Sequence, residues 1–183
     1  MELLNNQYVI DSVPVCDLIL KYGSPLYVYD TSRMEMQYKR LENAFKGSRI
    51  KINYACKALT NINVLRFFKG LGSGLDAVSI QEVNLGLQAG YDPGDILYTP
   101  NCVSLEEINE AVDLGVRINI DSISMLEQFG HQHGEEVPIC IRINPHIMAG
   151  ENQKISTGHI DSKFGISIYQ LPHVKRIIET NKM

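Results

Sequence analysis

Nothing in this 183-residue sequence approaches the ~18 consecutive apolar residues of a membrane-spanning helix. Nor does it open on the basic-then-apolar pattern of a secretory leader. Met1 to Asp11 is polar, and the expected location is the cytoplasm. Basic residues are not in excess. Lys and Arg number 17 against 21 Asp and Glu, a net charge of -4. That counts against a nucleic-acid surface and leaves room for a local basic pocket that takes a small anion. Paired cysteines are missing too. Cys16, Cys56, Cys102 and Cys140 form no C-x-x-C pair, and their spacing supplies neither a zinc site nor a disulfide framework. Free buried thiols in a reducing compartment are the expectation, with no metal centre. What is present is the composition of a folded domain: 44% hydrophobic and 21% charged, enough to bury a core.

Short apolar runs alternate with amphipathic ones. Leu26–Tyr29 suits a strand, and Asp30 with Thr31 can cap a helix whose apolar stripe is Met34, Tyr38, Leu41 and Phe45. Lys51–Lys57 alternates like a strand. Ile62, Leu65 and Phe68 mark a helix that Gly70, Gly72 and Gly74 end. Leu75–Val78 is the next strand, and Ser79 with Glu82 makes an S-x-x-E capping box for a helix closed by Gly90. Ile96–Thr99 is a strand. Ser104 with Glu107 repeats the box, and Gly115 stops that helix. Ile118–Asp121 is a strand followed by a helix through Ile123, Leu126 and Phe129. Pro138–Asn144 is a further strand, Pro145–Ser162 a polar loop, and Tyr169–Asn181 a helix.

Such alternation implies a parallel sheet with right-handed crossovers, either an open doubly wound sheet or a (β/α)8 barrel. Side-chain parity separates them. Ile52, Tyr54 and Cys56 oppose Asn53, Ala55 and Lys57. Ile139, Ile141 and Ile143 oppose Cys140, Arg142 and Asn144. Ile118 and Ile120 oppose Asn119 and Asp121. A doubly wound sheet buries both faces and its strands read as continuous apolar runs. One apolar and one small or polar face fits a barrel with helices outside and a functional lumen. Lys57, Asp76, Asp121 and Arg142 all fall late in their strands, where barrel active sites lie. The chain holds about five β/α units, so the barrel is expected to be incomplete.

Lys57 ends an otherwise apolar strand on the inward face. Partial desolvation there favours the neutral amine, a nucleophile that forms a Schiff base with an aldehyde. The bland reading, a snorkelling or ion-paired lysine at a strand end, stays open on position alone.

Several motifs occur in order. Tyr54-Ala55-Cys56-Lys57-Ala58 with Asn61 resembles the Y-A-x-K-A-x-x-N signature of the barrel-type, fold-type III PLP-dependent decarboxylase family. Gly72-x-Gly74-x-Asp76-x-x-Ser79-x-x-Glu82 is similar to the family's G-x-G-x-D-x-x-S-x-x-E stretch. Arg142-Ile143-Asn144-Pro145 resembles its R-I-N-P strand end. Ser156-Thr157-Gly158 followed by Ser162-Lys163-Phe164-Gly165-Ile166 resembles the S-T-G…K-F-G-I segment most typical of the members that decarboxylate diaminopimelate. The resemblance runs from about Pro25 through the last helix.

That resemblance implies an alanine-racemase-like TIM-type barrel, with residues 31–183 as part of it. The family's C-terminal β-domain is absent from this chain, and residues 1–30 are expected to pack near it. It implies pyridoxal 5'-phosphate (PLP) as cofactor, Lys57 as the catalytic Schiff-base lysine, and Ala55, Asp76 and Arg142 beside the cofactor, Arg142 near its phenolic oxygen. It also implies conversion of the amino-acid substrate meso-diaminopimelate to L-lysine by a full-length head-to-tail homodimer, with no nucleic-acid or membrane partner. The family's ring-stacking histidine, glycine-rich phosphate site and pyridine-pairing glutamate fall past Met183, so the fragment alone is expected to be inactive. His159 lies in the polar loop and is expected to be solvated. For Asp76 a lumen ion pair, for Arg142 a structural ion pair and for Ala55 mere filling stay open. Other readings are a sister decarboxylase of ornithine, arginine or carboxynorspermidine, a racemase on the same barrel, and a non-catalytic PLP-binding barrel. A dinucleotide fingerprint at Gly70, Gly72 and Gly74 is in the wrong order, because these glycines follow a helix and precede a strand.

Overall fold

A computed structural model describes residues 1–147, 157–159 and 162–183. The chain divides into two compact units, Met1–Ile50 and Lys51–Met183.

The first unit opens on an antiparallel meander, β1 (Glu2–Leu4), β2 (Gln7–Ile10) and β3 (Val13–Pro14). Its two turns are Asn5-Asn6 and Asp11-Ser12, and all four residues have positive φ, as a two-residue type I′ hairpin requires. The sequence reading saw only a polar segment here. Helix α1 (Val15–Tyr22) follows, then α2 (Thr31–Ala44), where the Asp30 carboxylate accepts from the Arg33 amide at 2.9 Å as expected. Leu26–Tyr29 is not a strand. It is irregular, Tyr27 is 89% exposed, and it pairs with none of the three strands of its unit. Hydrophobicity alone does not make a strand without a neighbouring ladder.

The second unit is built on a parallel sheet of β4 (Asn53–Ala55), β5 (Gly74–Ala77), β6 (Ile96–Tyr98), β7 (Arg117–Ile120) and β8 (Ile139–Ile141), in that spatial order. Helices α3 (Ile62–Gly70), α4 (Ile80–Ala89), α5 (Leu105–Asp113) and α6 (Ile123–His133) make the crossovers, and each packs on the next. A doubly wound sheet reverses its strand order part-way; a barrel wall does not. Parity is as read. Leu75, Ala77, Ile96, Tyr98, Ile118 and Ile120 are buried against Leu65, Val83, Ile108, Ala111, Leu126 and Phe129 of the helices, while Asp76, Leu97 and Asn119 between them are half-buried.

Local chemistry fixes these elements. The Asn61 side chain caps α3 by accepting from the Asn63 amide at 2.9 Å, which accounts for the last position of Y-A-x-K-A-x-x-N. Ser79 accepts from Glu82 N at 3.2 Å, and Glu82 reaches back to Val78 N at 2.8 Å. At α5 only half of the box forms. Ser104 accepts from Glu107 N, but the Glu107 carboxylate takes the hydroxyl of buried Tyr98 at 2.5 Å instead. Gly86 lets α4 press onto the sheet, since a Cβ there would strike the Leu75 side chain.

The strand from Pro138 is interrupted at Arg142. Past it, β9 (Ile143–Asn144) pairs in parallel with β10 (Ile166–Ser167), an element the sequence reading did not find, and α7 (Leu171–Asn181) follows and packs on α6. Two-residue strands carry too little pattern to be read. Gly165, with φ +81° and the Asn144 amide 3.0 Å from where a Cβ would stand, supplies the reason for glycine in K-F-G-I. The thiols do not all behave as expected: Cys56 is buried, but Cys16 and Cys102 are exposed and Cys140 is half-buried. Among the described residues no helix is long and apolar enough to cross a membrane.

Candidate functional site

Three of the four residues singled out from the sequence meet at the C-terminal ends of the strands. Lys57, Asp76 and Arg142 line one cavity of about 350 Å³, together with Thr99, Asn101 and Phe164. Asp76 sits inside β5. Lys57 lies two residues past β4, and Arg142 occupies the break between β8 and β9. Ala55 pairs with Asp76 across the β4–β5 ladder but is not among the cavity-lining side chains.

Lys57 differs from the expectation of a desolvated strand lysine. Strand β4 stops at Ala55, and Cys56–Ala58 forms a 3-10 turn that carries Lys57 out to an exposed position. The turn is anchored from beneath. The Leu59 amide donates to Cys56 O at 3.1 Å, and the Tyr54 hydroxyl reaches Leu59 O at 3.4 Å while its ring stacks on Phe68 at 4.2 Å. Burial raises the Tyr54 phenol above its ordinary pKa. Burial, and then the Glu82 and Asp76 carboxylates, push the Cys56 thiol up to about 11, so it stays protonated at neutral pH. Around Lys57, therefore, the first and third residues of Y-A-x-K are scaffold.

The glycine motif is scaffold as well. Gly72 has φ +90°, and Gly74 faces the Asn53 side chain so closely that no Cβ fits. Buried Ser73 accepts from Tyr54 N at 3.1 Å and donates to Gly74 O at 2.6 Å. These contacts set the β4–β5 register that brings Ala55 and Lys57 alongside Asp76.

Arg142 is held on both sides of the backbone. Its amide donates to Ile120 O and its carbonyl accepts from Ile166 N, both at 2.8 Å. Its guanidinium lies over the Phe164 ring, 4.5 Å from the centroid, a cation–π contact that fixes the plane of the group. Asn144 is 3% exposed. It accepts from His146 N at 2.9 Å and donates to His159 O at 3.0 Å. His159 is thus half-buried and tied by its carbonyl rather than fully solvated. Ser156 of the S-T-G motif lies outside the described residues. Asp121, one residue past β7, is absent from the 350 Å³ cavity and accepts from Asn101 Nδ2.

The sequence reading did not single out Thr99 or Asn101, and quoted Phe164 only inside a motif. The rule that placed Lys57 and Arg142 at strand ends applies equally to the end of β6, and would have found the first two.

A primary amine, a guanidinium and a carboxylate around one cavity suit an anionic aldehyde cofactor. The volume falls within the range of small-molecule sites, roughly 300–1,000 Å³. Comparison with known proteins agrees. The model of the pyridoxal-dependent decarboxylase family, pyridoxal binding domain, matches residues 31–183. The chain belongs to this family. It is 44% identical over 169 residues to the diaminopimelate decarboxylase of Methanothermobacter thermautotrophicus, covering 91% of this chain and 39% of that protein. Among solved structures, diaminopimelate decarboxylase from Helicobacter pylori complexed with L-lysine superposes with a TM-score of 0.82 at 32% identity, covering 90% of this chain and 43% of that one. The M. jannaschii diaminopimelate decarboxylase in co-complex with L-lysine gives 0.83 at 29% identity, covering 99% and 44%. The chain thus spans about two fifths of the length of the relatives it matches. This pyridoxal-binding domain is an alanine-racemase-like α/β barrel wall, as the sequence motifs imply.

Proposed function

We propose that the protein to which this chain contributes decarboxylates meso-diaminopimelate to L-lysine, with Lys57 as the lysine that carries pyridoxal 5'-phosphate. The observation that carries the reading is the convergence of Lys57, Asp76 and Arg142 on one strand-end cavity. The 44% identity to a diaminopimelate decarboxylase supports the choice of substrate.

When bound, the cofactor supplies an electron sink for the bonding pair left behind as the α-carboxylate departs as carbon dioxide. The chain's own residues bind, orient and shield. Lys57, the primary amine that lines the cavity, would hold the cofactor through its aldehyde. The same Nζ, exposed at the mouth of the cavity, would be placed to hold a proton. Arg142 would set a fixed positive charge beside the cofactor, and the Phe164 ring shields one face of the guanidinium from water. Asp76 sets a carboxylate beside the ring. Ala55, next to Asp76 in the ladder, leaves space at the turn. The working protein is a cytoplasmic homodimer acting on a small amino acid, with no nucleic-acid or membrane partner.

The test is borohydride reduction of the full-length protein with PLP, followed by peptide mass mapping. A phosphopyridoxyl group on Lys57, absent in Lys57→Ala, is expected, together with carbon dioxide release from meso-diaminopimelate in a panel that includes ornithine and arginine. A folded protein that takes no label at Lys57 sinks the cofactor assignment. A labelled protein that prefers ornithine or arginine overturns only the substrate.

A further inference from the structure

Asn101 stands in the wall between two cavities. One is the 350 Å³ cavity with Lys57 and Arg142. The other, of about 510 Å³, lies beside the N-terminal ends of α5 and α6 and is lined by Asp121, Ser122 and Lys163 among others. The carboxamide reaches three parts of the chain. Nδ2 donates to Asp121 Oδ2 at 2.5 Å and to the Lys163 carbonyl at 3.4 Å, and Oδ1 accepts from Cys102 Sγ at 3.4 Å. The amide orientation follows from the partners, because a carboxylate and a carbonyl only accept. A single planar group therefore joins the end of β6, the residue after β7 and the segment that leads into β10.

That segment matters because of what comes next. Phe164 follows Lys163 and lies on the Arg142 guanidinium. Two successive residues of K-F-G-I thus line different cavities, Lys163 one and Phe164 the other. From the C-terminal side the segment is held by Gly165 and the β9–β10 ladder. From the N-terminal side, among the described residues, Phe164 N meets the Ser162 hydroxyl at 3.3 Å and Ser162 N donates to His159 O at 3.0 Å, both local turn contacts. Toward β6 and β7, Asn101 tethers it through the Lys163 carbonyl.

We propose that Asn101 is a positioning residue for the Lys57 site. Its carboxamide holds the Lys163 carbonyl, so that Phe164 stays on Arg142 and the guanidinium stays aimed into the cavity. This rests on the reading of Lys57 and Arg142 as cofactor-holding groups. Aspartate cannot replace it, since a second carboxylate would face Asp121 and no donor would remain for Lys163.

The experiment is a double-mutant cycle in the full-length protein on Asn101→Ala and Phe164→Leu, read by PLP titration of the apo form and by the pH at which the bound cofactor's absorption band changes. Asn101→Ala is expected to weaken PLP binding about tenfold, the loss of the carboxamide's bonds to the Lys163 carbonyl and the Asp121 carboxylate, and to shift that pH. The double variant is expected to be no worse than the worse single variant. Asn101→Ser, which keeps a small polar group in the wall without spanning to Lys163, reads the same tether if the alanine variant does not fold. The proposal is overturned if losses multiply across the cycle, or if folded Asn101 variants keep wild-type affinity and titration. The borohydride label separates the two failures. An unlabelled wild type removes the Lys57 reading itself, whereas a labelled wild type with unaffected Asn101 variants removes this inference alone.

Discussion

Leu75 and Ala77 are wholly buried against the helices, and Asp76 between them opens on the cavity with Lys57 and Arg142. Ile118 and Ile120 flank Asn119 in the same way. The two faces of the sheet are thus written in alternate residues of the same strands but answer to different physics. The helix-side face is close-packed, and among the described residues it carries no buried side-chain polar atom without a partner. The opposite face carries polar groups whose partners are incomplete: Asn119 Nδ2 meets Thr99 at 3.5 Å, and Asn119 Oδ1 has no partner among the described residues. One face holds the fold together and the other does chemistry, so substitutions on them should separate stability from function.

The largest effect on stability is expected from Phe129→Ala. The ring is fully buried beneath the sheet, and its removal should cost about 3–5 kcal/mol in denaturant unfolding. Gly86→Val tests packing in the opposite sense. Its side chain must displace Leu75 and Ile96, for a loss of about 1–3 kcal/mol and, if the faces are independent, no change in borohydride labelling at Lys57. Cys56 gives a smaller, pH-dependent effect. Its folded pKa, about 11, lies above the ordinary 9.0, so its contribution is complete below pH 9 and is lost as pH rises through 11. Denaturation midpoints that fall over that window, less steeply in Cys56→Ala, are expected; alkylation at neutral pH should modify Cys16 and Cys102 before Cys56. The smallest effect is expected on the lumen side. Asn119→Ala removes a group that is already underpaired and should shift stability by under about 0.5 kcal/mol. A loss matching that of Phe129→Ala would break the distinction between the faces.

The helix-covered face was legible because two periods agree along the sequence. Alternation in the strands and a 3.6-residue stripe in α3 to α6 point at the same core, and caps such as Ser79 mark where one period yields to the other. The site was legible for a different reason. Lys57, Asp76 and Arg142 are polar residues at the ends of apolar runs, and the motifs around them fixed their order. What could not be read depends on distant partners. Strand β10 is two residues long and exists through its ladder with β9. Leu26–Tyr29 has the composition of a strand but no ladder in its own unit. Asn101 gains meaning only when β7 and the approach to β10 come beside it, and no local spacing announces that.

The break at Arg142 also bears on time as well as place. Its amide and its carbonyl are each committed to a different neighbouring strand, so the residue cannot swing out as a loop residue would. Releasing it requires both ladders to unzip. The Arg142 and Ile166 amide protons should therefore exchange with solvent deuterium on the slow clock of the sheet, not the fast clock of the surface turns, and the backbone that carries the guanidinium should stay in place for as long as the sheet survives.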